Sequence, residues 1–192
     1  MQNKKFGLIL ALVVFTCCVA VSCSEEPIED LDLQESRSFS GTMQKPVKII
    51  IPKIAVDATI HSADINEESD VIAPAQAVGV AWYEKYASPG WDCNAILGAH
   101  RDFRGTPGAF ANLGRLKIGD SVEFHYEDGS IGYFVVKSRN TYSCDNIPAS
   151  VMANSGPTRT TLITSAGSPL SAVRYSHCLV VTLVAVEHIG LD

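Results

Sequence analysis

The chain has 192 residues, 46% of them hydrophobic and 19% charged. That balance excludes a disordered polypeptide, and the length suits one domain with a tail. The net charge of −6 argues against nucleic acid as the main partner, because phosphate binding needs a surplus of Lys and Arg. Fourteen Gly and nine Pro, with no low-complexity tract, point to a turn-rich β protein.

Residues 1–23 stand apart from the domain. Lys4 and Lys5 precede an apolar run from Phe6 to Cys23. Eighteen residues rise about 27 Å as a helix, close to the thickness of a hydrocarbon core. A positive flank followed by such a run reads as an export signal or a membrane anchor. Ala20-Val21-Ser22-Cys23 resembles a bacterial lipobox, which makes Cys23 a lipidation candidate, although these boxes usually begin with Leu. Lipid anchor, uncleaved helix and cleaved signal all place the remainder outside the cytoplasm. Residues 24–45 read as an acidic, flexible linker: Glu25, Glu26, Glu29, Asp30, Asp32 and Glu35 crowd one short stretch, and a Ser-rich stretch follows. The folded domain is expected over 46–192.

Within the domain, Val47–Ile51 and Ile54–Ile60 are β-branched runs divided by Pro52-Lys53, hence one interrupted strand or two short ones. Residues 61–77 read as a loop, Val78–Trp82 as a strand, Ser88-Pro89-Gly90 as a turn and Asn94–Gly98 as a buried strand. Thr106–Leu113 reads as a short helix or turn. Ser121–Tyr126 and Ile131–Ser138 flank the hairpin signal Asp128-Gly129. A helical turn is expected within Asp145–Ala153, and strands over Arg159–Thr164 and Leu179–Val186. About eight strands without long helices favour an all-β fold, a closed or nearly closed barrel with short rim helices. A doubly wound α/β fold lacks its crossover helices.

Three strand ends carry chemistry-bearing residues: His100-Arg101, Ser165, and Arg174 with Cys178. A His beside a hydroxyl or thiol, with a cation near the acyl oxygen, is the minimal kit for acyl transfer. On residue types alone, a His at a strand end is more often structural.

Val80-Ala81-Trp82-Tyr83, Ser88-Pro89-Gly90, Asn94 through Arg101, Gly105, Gly108 through Leu113, Leu116 through Asp120, Thr161-Leu162-Ile163-Thr164 and Leu179-Val180-Val181-Thr182 together resemble the sortase family over about Val47 to Val186, nearest to its class D, E or F members. The resemblance implies an eight-stranded β-barrel and an extracytoplasmic cysteine transpeptidase. Such an enzyme cleaves the Thr–Gly bond of a sorting signal such as Leu-Pro-Xaa-Thr-Gly and joins the product to a cell-wall precursor or pilin amine. It implies His100 as general acid and base, and Arg101, Thr164 and Ala166 as substrate-binding positions. No cofactor and no metal are implied. The order Gly98-Ala99-His100 departs from the family's Ala-Gly-His. Two further departures bear on catalysis: Ser165 stands where the family has its nucleophilic Cys, and Cys178 where it has Arg, with Arg174 four residues earlier.

Three functions compete on this reading. The first is a degenerate sortase that keeps the barrel and groove without turnover, a pseudoenzyme. The second is an active transpeptidase using Ser165 or a relocated Cys178 nucleophile with His100 and Arg174. The third is a non-enzymatic surface interaction lipoprotein. Outside the signal region the cysteines are Cys93, Cys144 and Cys178. Export permits disulfides, so Cys93 and Cys144, both in loops, are a candidate pair that leaves Cys178 free; the alternative is three reduced thiols packed as small hydrophobes. Ser176-His177-Cys178 lacks the Gly of an L,D-transpeptidase motif. Shared metal ligation by His100, His177 and Cys178 is disfavoured, since adjacent strand residues face opposite ways. Asp64, Glu67, Glu68 and Asp70 lack the spacing of a calcium loop. His61, His125 and His188 carry no motif.

Overall fold

Eight segments rich in Val, Ile, Leu and aromatic residues pair side to side until no free edge is left. The computed structural model describes residues 42–64, 78–171 and 175–186, all within the second of the chain's two units, Leu33–Asp192. The expected anchor over 1–23 with Cys23, most of the 24–45 linker, and Arg174, Glu67, Glu68, Asp70 and His188 lie outside the described residues. Among the described residues no helix is long and apolar enough to cross a membrane.

The strands are β1 (Pro46–Ile51), β2 (Val56–Ala63), β3 (Val80–Tyr83), β4 (Asn94–Gly98), β5 (Asp102–Phe103), β6 (Thr106–Pro107), β7 (Ser121–Tyr126), β8 (Ile131–Ser143), β9 (Arg159–Pro169) and β10 (Tyr175–Val186), with one short helix, α1 (Ala149–Met152). The barrel closes in the order β1-β2-β3-β4-β9-β10-β8-β7, and β7 returns to β1. Two pairs are parallel, β2 with β3 and β4 with β9. The remaining β5–β6 pair is a small hairpin of its own. The all-β barrel expected from the sequence is the observed fold.

Pleating explains which residues go inward. In β2, Val56, Ala58 and Ile60 are buried while Asp57, Thr59 and His61 are exposed. In β7, Val122, Phe124 and Tyr126 alternate in the same way. β3 and β4 do not alternate, because both their faces are covered. One face joins the barrel core, with Trp82, Ala95 and Leu97. The other joins a second cluster of Ala81, Tyr83, Ile96, Ile163 and Val180, roofed in part by Tyr142, Val151 and Met152. The β8–β9 connection, which carries α1, therefore lies on the outer face of β3, β4, β9 and β10.

Several boundaries differ from the sequence expectation. Pro52–Ile54 form a 3₁₀ turn, with Ala55 at φ 54°, so the interrupted run becomes two antiparallel strands. Strand β2 continues through His61 to Ala63, where a loop was expected. Of the helix or turn expected over Thr106–Leu113, residues 109–112 are turn, preceded by β6 and running into a 3₁₀ turn at Leu113–Arg115. Strands β8, β9 and β10 run on into polar residues, because backbone pairing continues past the core.

Phe124 and Phe134 pack edge to face inside the barrel with ring centres 5.1 Å apart, both fully buried. Phe124→Ala is expected to cost about 3–5 kcal/mol of stability in urea unfolding. A loss below about 1 kcal/mol would mean that this pair is not core.

Candidate active site

The ladder between β4 and β9 sets the site. Asn94 pairs with Arg159 and Gly98 with Ile163, and the Ala99 N–H continues to the Ile163 carbonyl at 3.3 Å. Two residues further on, His100 and Ser165 stand at the same level of neighbouring chain segments. Across the other edge of β9, Ser165 is the direct partner of Cys178. Alternation fixes the face: Ile163 and Val180 belong to the outer cluster, so Ser165 and Cys178, two residues from each, share it. Ser165 and Cys178 thus sit side by side on β9 and β10, about one strand spacing (~4.8 Å) apart, and His100 completes the row from the turn after β4, two residues past the last β4–β9 pair.

Thr164 faces the opposite way. It is buried, and its hydroxyl donates to the Ala99 carbonyl at 2.8 Å. The expected substrate-binding position thus proves to be a tie that fixes the His100 turn to β9. Ala166 is half-buried against the barrel core.

The His100 segment folds back on itself. The Gly108 N–H reaches the Arg101 carbonyl at 2.9 Å, and the Phe110 N–H reaches the His100 carbonyl at 3.1 Å. The imidazole lies 4.8 Å from the Phe103 ring centre. A Cβ on Gly108 would collide with the His100 carbonyl and come within 2.8 Å of the His100 Cβ, so only glycine lets the two chains approach this closely.

Beside the row sits a charged network. Arg101 Nε pairs with Asp102 Oδ2 at 3.0 Å, its Nη1 donates to the Gly167 carbonyl at 3.1 Å, and its guanidinium lies 4.3 Å over the Tyr175 ring. The Tyr175 hydroxyl donates to Asp102 Oδ1 at 2.5 Å. That hydroxyl, and then Arg101, hold the Asp102 carboxyl below its ordinary range. The same hydrogen bond pushes the Tyr175 phenol up. Arg101 therefore bridges the His100 turn to the β9–β10 hairpin, two residues beyond Ser165. Ser176 Oγ and His177 Nδ1 lie 2.8 Å apart on that hairpin.

The cysteine pairing corrects the sequence expectation. Cys144 is bonded to Cys178, not to Cys93, and Cys93 is free. The physical reason is register. β8 extends past Ser138 to Ser143, where Tyr142 pairs with Cys178 and brings the next turn alongside β10. Cys93 immediately precedes β4, at the far end of that strand from His100. Both bonded cysteines are half-buried. Cys178 is therefore not the free thiol expected from the sequence. In this form it is no nucleophile.

The roof over the outer cluster is held at several points, toward the end of β4 away from His100. Buried Asn94 donates to the Val151 carbonyl at 2.9 Å and accepts from the Thr161 hydroxyl at 2.7 Å. Arg159 donates to the carbonyls of Ser150, Ala153, Ser155 and Pro157. No role is legible in the sequence for Asn94, Gly108, Asp102, Arg159 or Tyr175. Asn94 and Gly108 lie inside the motif stretches and Asp102 adjoins one, while the parts played by all five depend on contacts between distant segments. Among the described residues no three His, Cys, Asp or Glu side chains converge as a metal site.

Two outcomes follow from this geometry. Gly108→Ala is expected to move the His100 ring resonances and to cost about 1–3 kcal/mol by overpacking. Gly105→Ala, at φ 82° with open space around it, should leave those resonances in place. Equal shifts in both variants would remove Gly108 from any positioning role. Asp102 is expected to titrate below about 3.9, and Tyr175→Phe to raise its midpoint in carboxyl NMR. Because the folded value is depressed, its contribution to stability is present above the unfolded value. It is lost as pH falls through the folded one.

A Sortase domain family model matches residues 49–186. No curated protein matches the chain. Solved structures with the same fold include sortase C1 of Streptococcus agalactiae, at 22% identity and TM-score 0.58, covering 76% of this chain and 69% of that one. A lid mutant of sortase A from Corynebacterium diphtheriae is similar at 18% identity and TM-score 0.60, covering 80% and 76%. With the family pattern running through every barrel strand from Ile49 to Val186, the chain belongs to the sortase family.

Proposed function

We propose that this protein is a sortase-type surface protein that holds a sorting-signal peptide on the outer face of β4, β9 and β10, and that in its disulfide-bonded form it does not run the thioacyl cycle. The observation that carries this reading is the Cys144–Cys178 bond beside Ser165. The family position for the nucleophile holds a hydroxyl. The thiol opposite it is occupied, and the free Cys93 lies seven residues, roughly 23 Å of extended chain, from His100.

A serine hydroxyl is far less acidic than a thiol and needs a base in direct contact to give up its proton. A site shaped for a Cys–His pair does not supply that contact by default. The family Arg is also replaced, and an oxyanion donor is typically worth about 2.7–4 kcal/mol. Ile96, Ile163 and Val180 are buried beneath Tyr142, Val151 and Met152, and these half-buried roof residues are the apolar surface an extended peptide would lie against. The peptide would be the sorting signal of a surface protein. The placement proposed is the extracytoplasmic face of the membrane, through the apolar run at 6–23 and the acidic tether after it.

A second reading has one observation in its favour, the position of His100 in the turn just past the β4–β9 ladder, two residues beyond the last pair as Ser165 is on β9. There Ser165 attacks the Thr carbonyl, His100 takes its proton, and a cell-wall or pilin amine resolves the ester. A fluorescent sorting-signal peptide separates the two. We expect the oxidised wild type to bind it without cleavage, and His100→Ala to bind it within about twofold of wild type, since a general base adds little ground-state affinity. Cleavage by oxidised wild type that disappears in Ser165→Ala would establish the second reading instead. Absence of binding would leave a non-enzymatic interaction protein.

A further inference from the structure

We propose that Cys178 is a latent acyl-transfer nucleophile, masked as the Cys144–Cys178 disulfide and released by a dithiol reductant. This rests on the reading above that the same face holds a sorting-signal peptide.

The argument begins with position. Cys178 is the cross-strand partner of Ser165, on the same face, and His100 lies in the turn after β4, on the far side of β9. A thiol at 178 would thus lie in the row where the family carries its chemistry, displaced by one strand. Access follows from burial: both bonded cysteines are half-buried, so a small dithiol or the active-site dithiol of an oxidoreductase can reach them.

The local structure also survives release. Cys144 opens the β8–β9 connection, just beyond the last β8–β10 pair, Ser143 with His177. The ladder beneath Cys178 is made of backbone bonds that do not depend on the sulfurs. The roof keeps its other fastenings, Asn94 on the Val151 carbonyl and Arg159 on four carbonyls. Reduction therefore frees a thiol without dismantling the face that carries it.

The chemistry balances. The dithiol gives two electrons and two protons, becomes a disulfide, and leaves Cys144 and Cys178 as thiols. Cys178 sulfur then attacks the Thr carbonyl of the peptide. The C–S bond forms and the C–N bond breaks. The thiol proton goes to water, and the leaving Gly amine takes one from water, because His100 lies two strands from Cys178 on the other side of β9. An amine or water attacks the thioester and restores the thiol, the proton it sheds reaching sulfur through water.

The test uses the full chain and a quenched Leu-Pro-Xaa-Thr-Gly peptide. Peptide binding is measured in parallel for every form. Oxidised wild type is expected to be silent. Dithiothreitol-treated wild type should cleave at least about tenfold faster, because only the free thiol reacts, with an acyl adduct mapped to Cys178 by mass spectrometry. Cys144→Ser, which cannot form the bond, should cleave without reductant. Cys178→Ala should be silent in both states. A Cys144→Ser protein that binds peptide yet neither cleaves it nor forms an adduct overturns this proposal alone. So does reductant-dependent cleavage that persists in Cys178→Ala. No binding by any form, oxidised wild type included, overturns the binding reading and this proposal with it.

Discussion

The parallel ladder between β4 and β9 is the constraint on which the rest depends. It is one of only two parallel pairs in the barrel, and it joins segments more than sixty residues apart in sequence. Through it Gly98 meets Ile163, and so the His100 turn comes to the Ser165 end of β9. The chain between them builds β5 to β8 and the roof before returning. Two hydroxyls secure the ladder from within: Thr161 on buried Asn94 at one end, Thr164 on the Ala99 carbonyl at the other. Each satisfies a polar group that burial would otherwise leave costly, by about 1–3 kcal/mol. The site is thus positioned by the core, not by the loops that decorate it.

The disulfide acts on that arrangement from outside. It spans 34 residues, for which the chain-entropy view gives a stabilisation of roughly 4 kcal/mol. Most of that enclosed chain is the roof and β9. Closing this loop therefore restrains the elements that border the row, while the barrel interior needs no such help. Asn94 and Arg159 fasten the same connection by hydrogen bonds at other points. Redundant fastening of a half-exposed segment suits a wall that must keep its shape against a bound chain.

The barrel was legible because its interior strands state their period. Ser121–Tyr126 and Asn94–Gly98 were delimited correctly from alternation or from an unbroken apolar run. The ends of β8, β9 and β10 were not, since Arg139, Asn140 and Gly167 pair through their backbones while their side chains carry no apolar pattern. The cysteine pairing failed for the same reason. With β8 taken to stop at Ser138, nothing brought Cys144 near Cys178, and Cys93 seemed as good a partner. His100 and Ser165 were legible only through a family pattern. The network of Arg101, Asp102 and Tyr175 depends on hairpin register, which no local signal encodes.

Ser165 and Cys178 are coupled by geometry. Positions 165 and 178 face each other across an antiparallel pair, where Cα atoms lie about 4.5–5.5 Å apart. That separation falls inside the range a disulfide accepts, roughly 4.4–6.8 Å. A chain carrying cysteine at both positions would have three thiols within reach of one another, at 144, 165 and 178. Oxidative folding would then sort between two competing bonds, one tying β9 to β10 and one tying β10 to the roof. Serine at 165 removes the competitor and leaves Cys178 a single partner among these three. A hydroxyl at 165 therefore keeps the pairing unique and leaves a polar group across the ladder from the disulfide.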